Sequence, residues 1–237
     1  MFKSWRLGSM LGFPVEVNLS FLILLGLVLV GFGGFAGVLV VLLAFGSVLL
    51  HELGHALVAR KLGVHVSGIE LGFFGGAAKM ENMPRTADHE LAIAAAGPAV
   101  SLMLGGAGLG LAAITHVWLF GMIGWTNLVI AGFNLIPALP MDGGRILRAL
   151  LSKRMSFIAA TDIAVTISRV AAVAFALFGL AYGVVQLVFL APFLWMMGTR
   201  EKLLARMMGD AYASDGGRTQ RVVVRQVGGR LVIVPID

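Results

Sequence analysis

From Val17 to Leu50 the chain runs 34 residues without an Asp, Glu, Lys, Arg or His, and the run ends in His51-Glu52-Leu53-Gly54-His55. An apolar stretch of that length is long enough to cross a bilayer, and in hydrocarbon it must satisfy its backbone hydrogen bonds internally, as a helix does. Ionisable groups at that depth are costly and point to a function. Histidines four apart share one helical face, so their imidazoles can converge on one metal ion. The carboxylate after the first histidine is suited to act as a base on a metal-activated water. Shuffling a chain of this composition would produce H-E-x-x-H in roughly three cases per thousand. Two core histidines with a paired glutamate are the bland alternative, and the cost of burying such groups in hydrocarbon argues against it.

Composition agrees. The chain is 59% apolar and 13% charged, and its mean hydropathy is +0.94. Soluble domains carry roughly twice that charge, so the reading is an integral, all-α polytopic membrane protein in the lipid bilayer. A net charge of +6 could mean nucleic acid, but every Lys and Arg except Arg169 lies outside the apolar runs, where loop charges of a membrane protein belong. No nucleic-acid partner is expected. With no cysteine, metal chemistry must use His and carboxylates. Residues 1–9 do not read as a cleaved signal peptide, because a long apolar run follows without a small-residue cleavage motif.

Taken in order, residues 1–16 read as a small hairpin at the membrane surface. Six transmembrane helices follow: 17–30, 36–62, 90–114 (interrupted by Gly97-Pro98), 117–133, 165–182 and 183–198. Between the second and third, residues 63–88 show strand-like alternation at Val64-His65-Val66 and Ile69 to Phe73, which fits a short sheet. Asn134 to Gly144 holds two prolines and two glycines, so the fourth span breaks there. Non-helical backbone at membrane depth is tolerated only where protein buries it or a wet cavity borders it. Residues 1–206 form the membrane domain, and 207–237 form a tail whose Arg221–Gln226 and Arg230–Val234 flank Gly228-Gly229 as a β-hairpin.

With both termini in the cytoplasm, Lys3, Arg6, Arg60, Lys61, Lys79, Arg85, Arg145, Arg148, Lys153, Arg154, Arg200, Lys202 and Arg206 all fall inside. The outer turns carry no Lys or Arg, as the positive-inside rule asks. His51 and His55 then lie roughly one to two helical turns inside the cytoplasmic boundary, at about 1.5 Å per residue. Asp142, three residues before Arg145 on another span heading inward, sits at matching depth. His51, His55 and Asp142 supply the three protein ligands of a catalytic zinc, one per chain, which leaves a fourth position open. Glu52 is the base. A non-hydrolytic zinc-binding or zinc-transporting membrane protein is the alternative, although transport paths usually carry metal sites at several depths.

The H-E-L-G-H motif, Gly97-Pro98 in the third span and Asn134 to Gly143 in the fourth together resemble the site-2 proteases, intramembrane zinc metalloproteases that cut substrate transmembrane segments. The resemblance spans about residues 5–205. It implies that His51, His55 and Asp142 hold zinc, that Glu52 is the catalytic base, and that Asn134 lies near the substrate backbone or the oxyanion. It also implies a transmembrane protein substrate cut near the cytoplasmic side. Asn134 could instead satisfy backbone groups freed by the proline break. The family's interposed PDZ domain has no room in 63–88, and an intact CBS pair does not fit in 207–237. The segment 64–80 offers a strand edge on which an unwound substrate could add as a further strand, an expectation that prolines at Ile69 and Leu71 would test.

Overall fold

The computed structural model describes residues 4–32, 34–72, 75–80, 86–214, 221–227 and 230–236. Lys3, Phe73, Arg85 and the Gly228-Gly229 turn, all used in the sequence reading, lie outside the described residues. Two compact units make up the chain: Met1–Pro84 with Ala92–Asn134, and Arg85–Leu91 with Leu135–Asp237.

The first unit opens with strands β1 (Ser4–Met10) and β2 (Phe13–Asn18), paired antiparallel. They turn at Leu11 and Gly12, whose φ values of 51° and 87° are both positive, as the tight turn of a two-residue hairpin requires. β2 alternates, with Phe13, Val15 and Val17 buried, and pairs in parallel with β3 (Val66–Gly72), Val17 facing Leu71. β3 pairs antiparallel with β4 (Gly75–Met80), giving the sheet order β1-β2-β3-β4. The N-terminal hairpin and the 63–88 segment are therefore one sheet.

Helix α1 (Leu19–Leu27) follows at once and continues into a π-helical turn, Val28–Phe32. The expected first span began at Val17. Instead Val17 is buried in β2, and Asn18 caps α1 by accepting a hydrogen bond from the Phe21 amide at 3.3 Å, so the strand ends where the cap begins. Helix α2 (Gly34–Lys61) carries the histidine motif in its last third. Helix α3 (Ala87–Thr115) runs through Gly97-Pro98 where an interruption was expected, since one internal proline removes a single backbone bond and need only bend the helix. Helix α4 (Trp118–Asn134) completes this unit. Phe13, Leu53, Ala56, Ala59, Val64, Val66, Ile69 and Ile93 form one core, so the sheet is seated on the motif-bearing end of α2.

The second unit begins as the chain leaves α4. Residues 135–141 form turns, and helix α5 (Asp142–Ser152) follows. A Cβ on Gly143 would overlap the carbonyl oxygens of Leu135 and Ile136, and one on Gly144 would overlap the Leu139 amide. The loop thus folds back tightly on the start of α5, which only glycine permits. The Leu139 amide donates to Ser168 Oγ at 2.7 Å, pinning the loop to helix α6 (Phe157–Tyr182). Met141 packs with Ala172, Ala191 and Leu194. Gly183, at φ 70°, ends α6, and helix α7 (Val185–Ser214) follows, so residues 207–214, read as tail, are helical. Strands β5 (Arg221–Val227) and β6 (Arg230–Ile236) pair antiparallel.

Among the described residues, α2, α3 and α6 are long and apolar enough to cross a membrane. Arg169, the one cation inside an apolar run, lies 4.9 Å from the Trp195 ring and donates to Thr199 Oγ1 at 3.4 Å.

Candidate metal centre

His51 and His55 are buried, at 2% and 3% exposure, and their Nε2 atoms lie 3.2 Å apart. Two imidazole nitrogens bound tetrahedrally to one zinc at about 2.05 Å stand about 3.3 Å apart. The pair thus already has the spacing of two ligands. Each ring is oriented from behind: His51 Nδ1 meets Ser101 Oγ at 2.9 Å, and His55 Nδ1 meets the Ile93 carbonyl oxygen at 2.6 Å. The carbonyl can only accept, so His55 carries its proton on Nδ1 and presents the lone pair of Nε2 as the ligating atom. Such partners fix tautomer and ring angle at metal-binding histidines.

Glycines let the neighbouring elements close on the motif. A Cβ on Gly54 would stand 2.9 Å from the Ala96 carbonyl oxygen, so α3 packs tightly on α2 within the motif itself. A Cβ on Gly97 would overlap His55 Nε2 and stand 2.6 Å from His51 Nε2. Gly97 therefore keeps open the space in which an ion between the two nitrogens would sit. On the other side a Cβ on Gly76 would stand 2.8 Å from Glu52 Cγ, and the Ala78 amide donates to Glu52 Oε2 at 3.0 Å. Glu52 is half-buried. It points toward β4.

Asp142, the first residue of α5, is buried at 6% exposure. A carboxylate in the first helical turn faces the partial positive charge of the helix N-terminus. Among the described residues, His51, His55 and Asp142 make up a buried His-His-Asp group that could hold a metal ion. The donor set, all nitrogen and oxygen, suits zinc. Asn134, at the end of α4, donates through Nδ2 to the Ile130 carbonyl oxygen at 3.0 Å, the backbone-satisfying arrangement that the sequence reading set beside a role toward substrate.

Ser101, the Ile93 carbonyl and the Ala78 amide escaped the sequence reading. Two of the three are backbone groups, which no residue type announces. Gly97 was read as part of an interruption in the third span, although it stands four residues before Ser101 and so on the same face of α3.

Residues 38–116 and 110–178 match the sequence pattern of peptidase family M50. A zinc metalloprotease of Methanocaldococcus jannaschii is 39% identical over 210 residues, covering 84% of this chain and 60% of the relative. Stage IV sporulation protein FB of Bacillus subtilis is 36% identical over 113 residues, covering 46% of this chain and 39% of the relative. The chain thus spans less than two thirds of the length of these relatives. Among solved structures, the site-2 protease from Methanocaldococcus jannaschii superposes with a TM-score of 0.64 at 37% identity, covering 84% of this chain and 95% of that one.

Proposed function

The chain belongs to peptidase family M50, the site-2 protease family, and from that membership we propose that it is an intramembrane zinc endopeptidase. Its substrate is a membrane-spanning protein segment, cut near the cytoplasmic side. The observation that carries this reading is the pair of buried Nε2 atoms 3.2 Å apart at the end of an apolar helix, next to Glu52. His51, His55 and Asp142 would hold one zinc. When bound, the metal would polarise the scissile carbonyl and make an attacking water more acidic.

Glu52 takes the proton from the attacking water at its carboxylate, the water oxygen bonds to the carbonyl carbon, and the C–N bond breaks as the proton passes to the departing amine. The Ala78 amide steadies Glu52 for this exchange without supplying a charge. Asn134 turns its amide toward the substrate backbone or the developing oxyanion once substrate displaces it from Ile130. The fold is six membrane spans with both termini cytoplasmic, the fourth broken before Asp142. Residues 1–206 are the protease domain, and 207–237 a cytoplasmic tail.

A helical substrate must unwind before cleavage, and an unwound segment finds its backbone partners at a strand edge. β3 lies inside the sheet and Ile69 is wholly buried, so prolines at Ile69 and Leu71 would break the sheet itself. The edge beside Glu52 is β4, and that is where the substrate strand is proposed to add.

Glu52→Gln tests the assignment. Zinc content should stay at one per chain while cleavage of a single-span test substrate is lost; cleavage at the wild-type rate would overturn the mechanism.

A further inference from the structure

Helix α5 places Asp142, yet almost no apolar side chain on it is fully buried, and Ile146, Leu147 and Leu151 are only half-buried. Apart from Asp142 and Arg148, its buried residues are Gly143, Gly144 and Ala149, which have almost no side chain to bury. Leu150 is 48% exposed. The large buried side chain on α5 is a cation. Arg148 has 4% side-chain exposure and donates from Nε to Glu90 Oε1 at 2.9 Å and from Nη1 to Glu201 Oε2 at 2.8 Å. Its guanidinium lies 5.0 Å from the centre of the Phe157 ring. Glu90 lies in the first turn of α3 and is itself buried at 7% side-chain exposure, while Glu201 on α7 is 28% exposed. Lys153, just past the end of α5, pairs with Asp88 beside Glu90.

Buried ion clusters contribute little net stability, because desolvation offsets their attraction. What they supply is direction: a planar guanidinium held by two carboxylates tolerates little rotation. Arg148 lies six residues beyond Asp142, about 9 Å along the helix axis. Ser168 holds the preceding loop, the glycine contacts hold that loop against the first turn, and Arg148 holds the middle. Together they define the rotation of α5 about its own axis, and hence where the Asp142 carboxylate points.

We infer that Arg148 is a positioning residue for the metal centre: clamped between Glu90 and Glu201, it locks the rotation of α5 and thereby aims Asp142 at the ion. This rests on Asp142 being a ligand, as proposed above. Loss of the clamp leaves the ligands chemically intact but misdirects one of them, and outer-shell losses of this kind typically cost about 10–100-fold in metal affinity.

The test is zinc affinity, measured by chelator competition on the detergent-solubilised full chain. Arg148→Met should weaken zinc by about tenfold or more, and Arg148→Lys, which keeps the cation, should recover part of that loss. In an Asp142→Ala background Arg148→Met should change nothing further, because the residue it aims is gone. Equal losses in both backgrounds would show a merely structural Arg148 and overturn the inference, as would wild-type affinity in Arg148→Met. Were Arg148→Met not to fold, Glu201→Gln removes the more exposed half of the clamp and should show a smaller loss with the same dependence on Asp142. If Asp142→Ala itself binds zinc as tightly as wild type, the ligand assignment fails, and this inference with it. If only Arg148→Met is silent, the inference fails alone.

Discussion

The Ala78 backbone amide donates a 3.0 Å hydrogen bond to Glu52 Oε2, so the proposed base is held by the strand proposed to receive substrate. A hydrogen bond to a charged acceptor contributes about 1.5–3 kcal/mol. Ala78→Pro removes the donor at a sheet edge, where proline is tolerated. The expected result is a fall in cleavage rate of roughly 10–100-fold with zinc content unchanged. A rate within twofold of wild type would show that this bond plays no part in holding the base.

Gly97→Ala tests the space between the histidines. Alanine is favoured over glycine inside a helix by about 0.8–1 kcal/mol, but the added Cβ would overlap His55 Nε2 and crowd His51 Nε2, both on buried rings. Zinc binding should therefore be lost, and the melting temperature of the metal-free form should fall because the rings themselves must shift. Metal analysis and thermal denaturation read the two side by side, and retained zinc would show that the site does not need the missing side chain.

Ser101→Ala leaves His51 Nδ1 without the hydroxyl that now meets it at 2.9 Å. Zinc affinity should fall by about 10–100-fold, as for other partners that orient ligating histidines. Retained affinity would mean that the ring is held by packing alone.

The sheet beside the motif should carry its own pH signature. The hydrogen bond from Lys79 holds the Glu70 carboxyl below its ordinary pKa against the cost of burial, with Asn18 assisting. Burial pulls the Lys79 ammonium down, but hydrogen bonds and attraction from Glu16 and Glu70 outweigh it, and its pKa is raised. A lowered carboxylate contributes stability above its unfolded pKa and loses it as pH falls through the folded one. A raised ammonium contributes below its unfolded pKa and loses it as pH climbs through the folded one. The cluster should thus support the sheet from mildly acidic to mildly alkaline pH and weaken at both extremes. Lys79 is 39% exposed, so Lys79→Met should cost no more than about 1 kcal/mol at neutral pH. Amide exchange in β3 and β4 measures it, and an equal cost at pH 3 would refute the ion-pair account.

Sequence pattern reached far in this chain because hydrocarbon leaves so few options. A charge-free run demands helix, ionisable residues at its end demand a role, and histidines four apart share a face, so α2, its motif and the isolation of Asp142 within a break of prolines and glycines were legible without coordinates. The placement of neighbours was not. That β2 pairs with β3 across fifty residues depends on Val17 finding Leu71, and pairing partners leave no mark in either strand alone. The roles of Gly54, Gly76 and Gly97 are absences that acquire meaning only from what approaches them. Ile93 and Ala78 act through backbone atoms that every residue possesses. Arg148 read as one more loop cation until Glu90 and Glu201 closed around it. Composition and period thus determined what must be buried and which residues are candidates for the chemistry. Only tertiary structure decided which groups aim them, because orientation depends on contacts between segments distant in the chain.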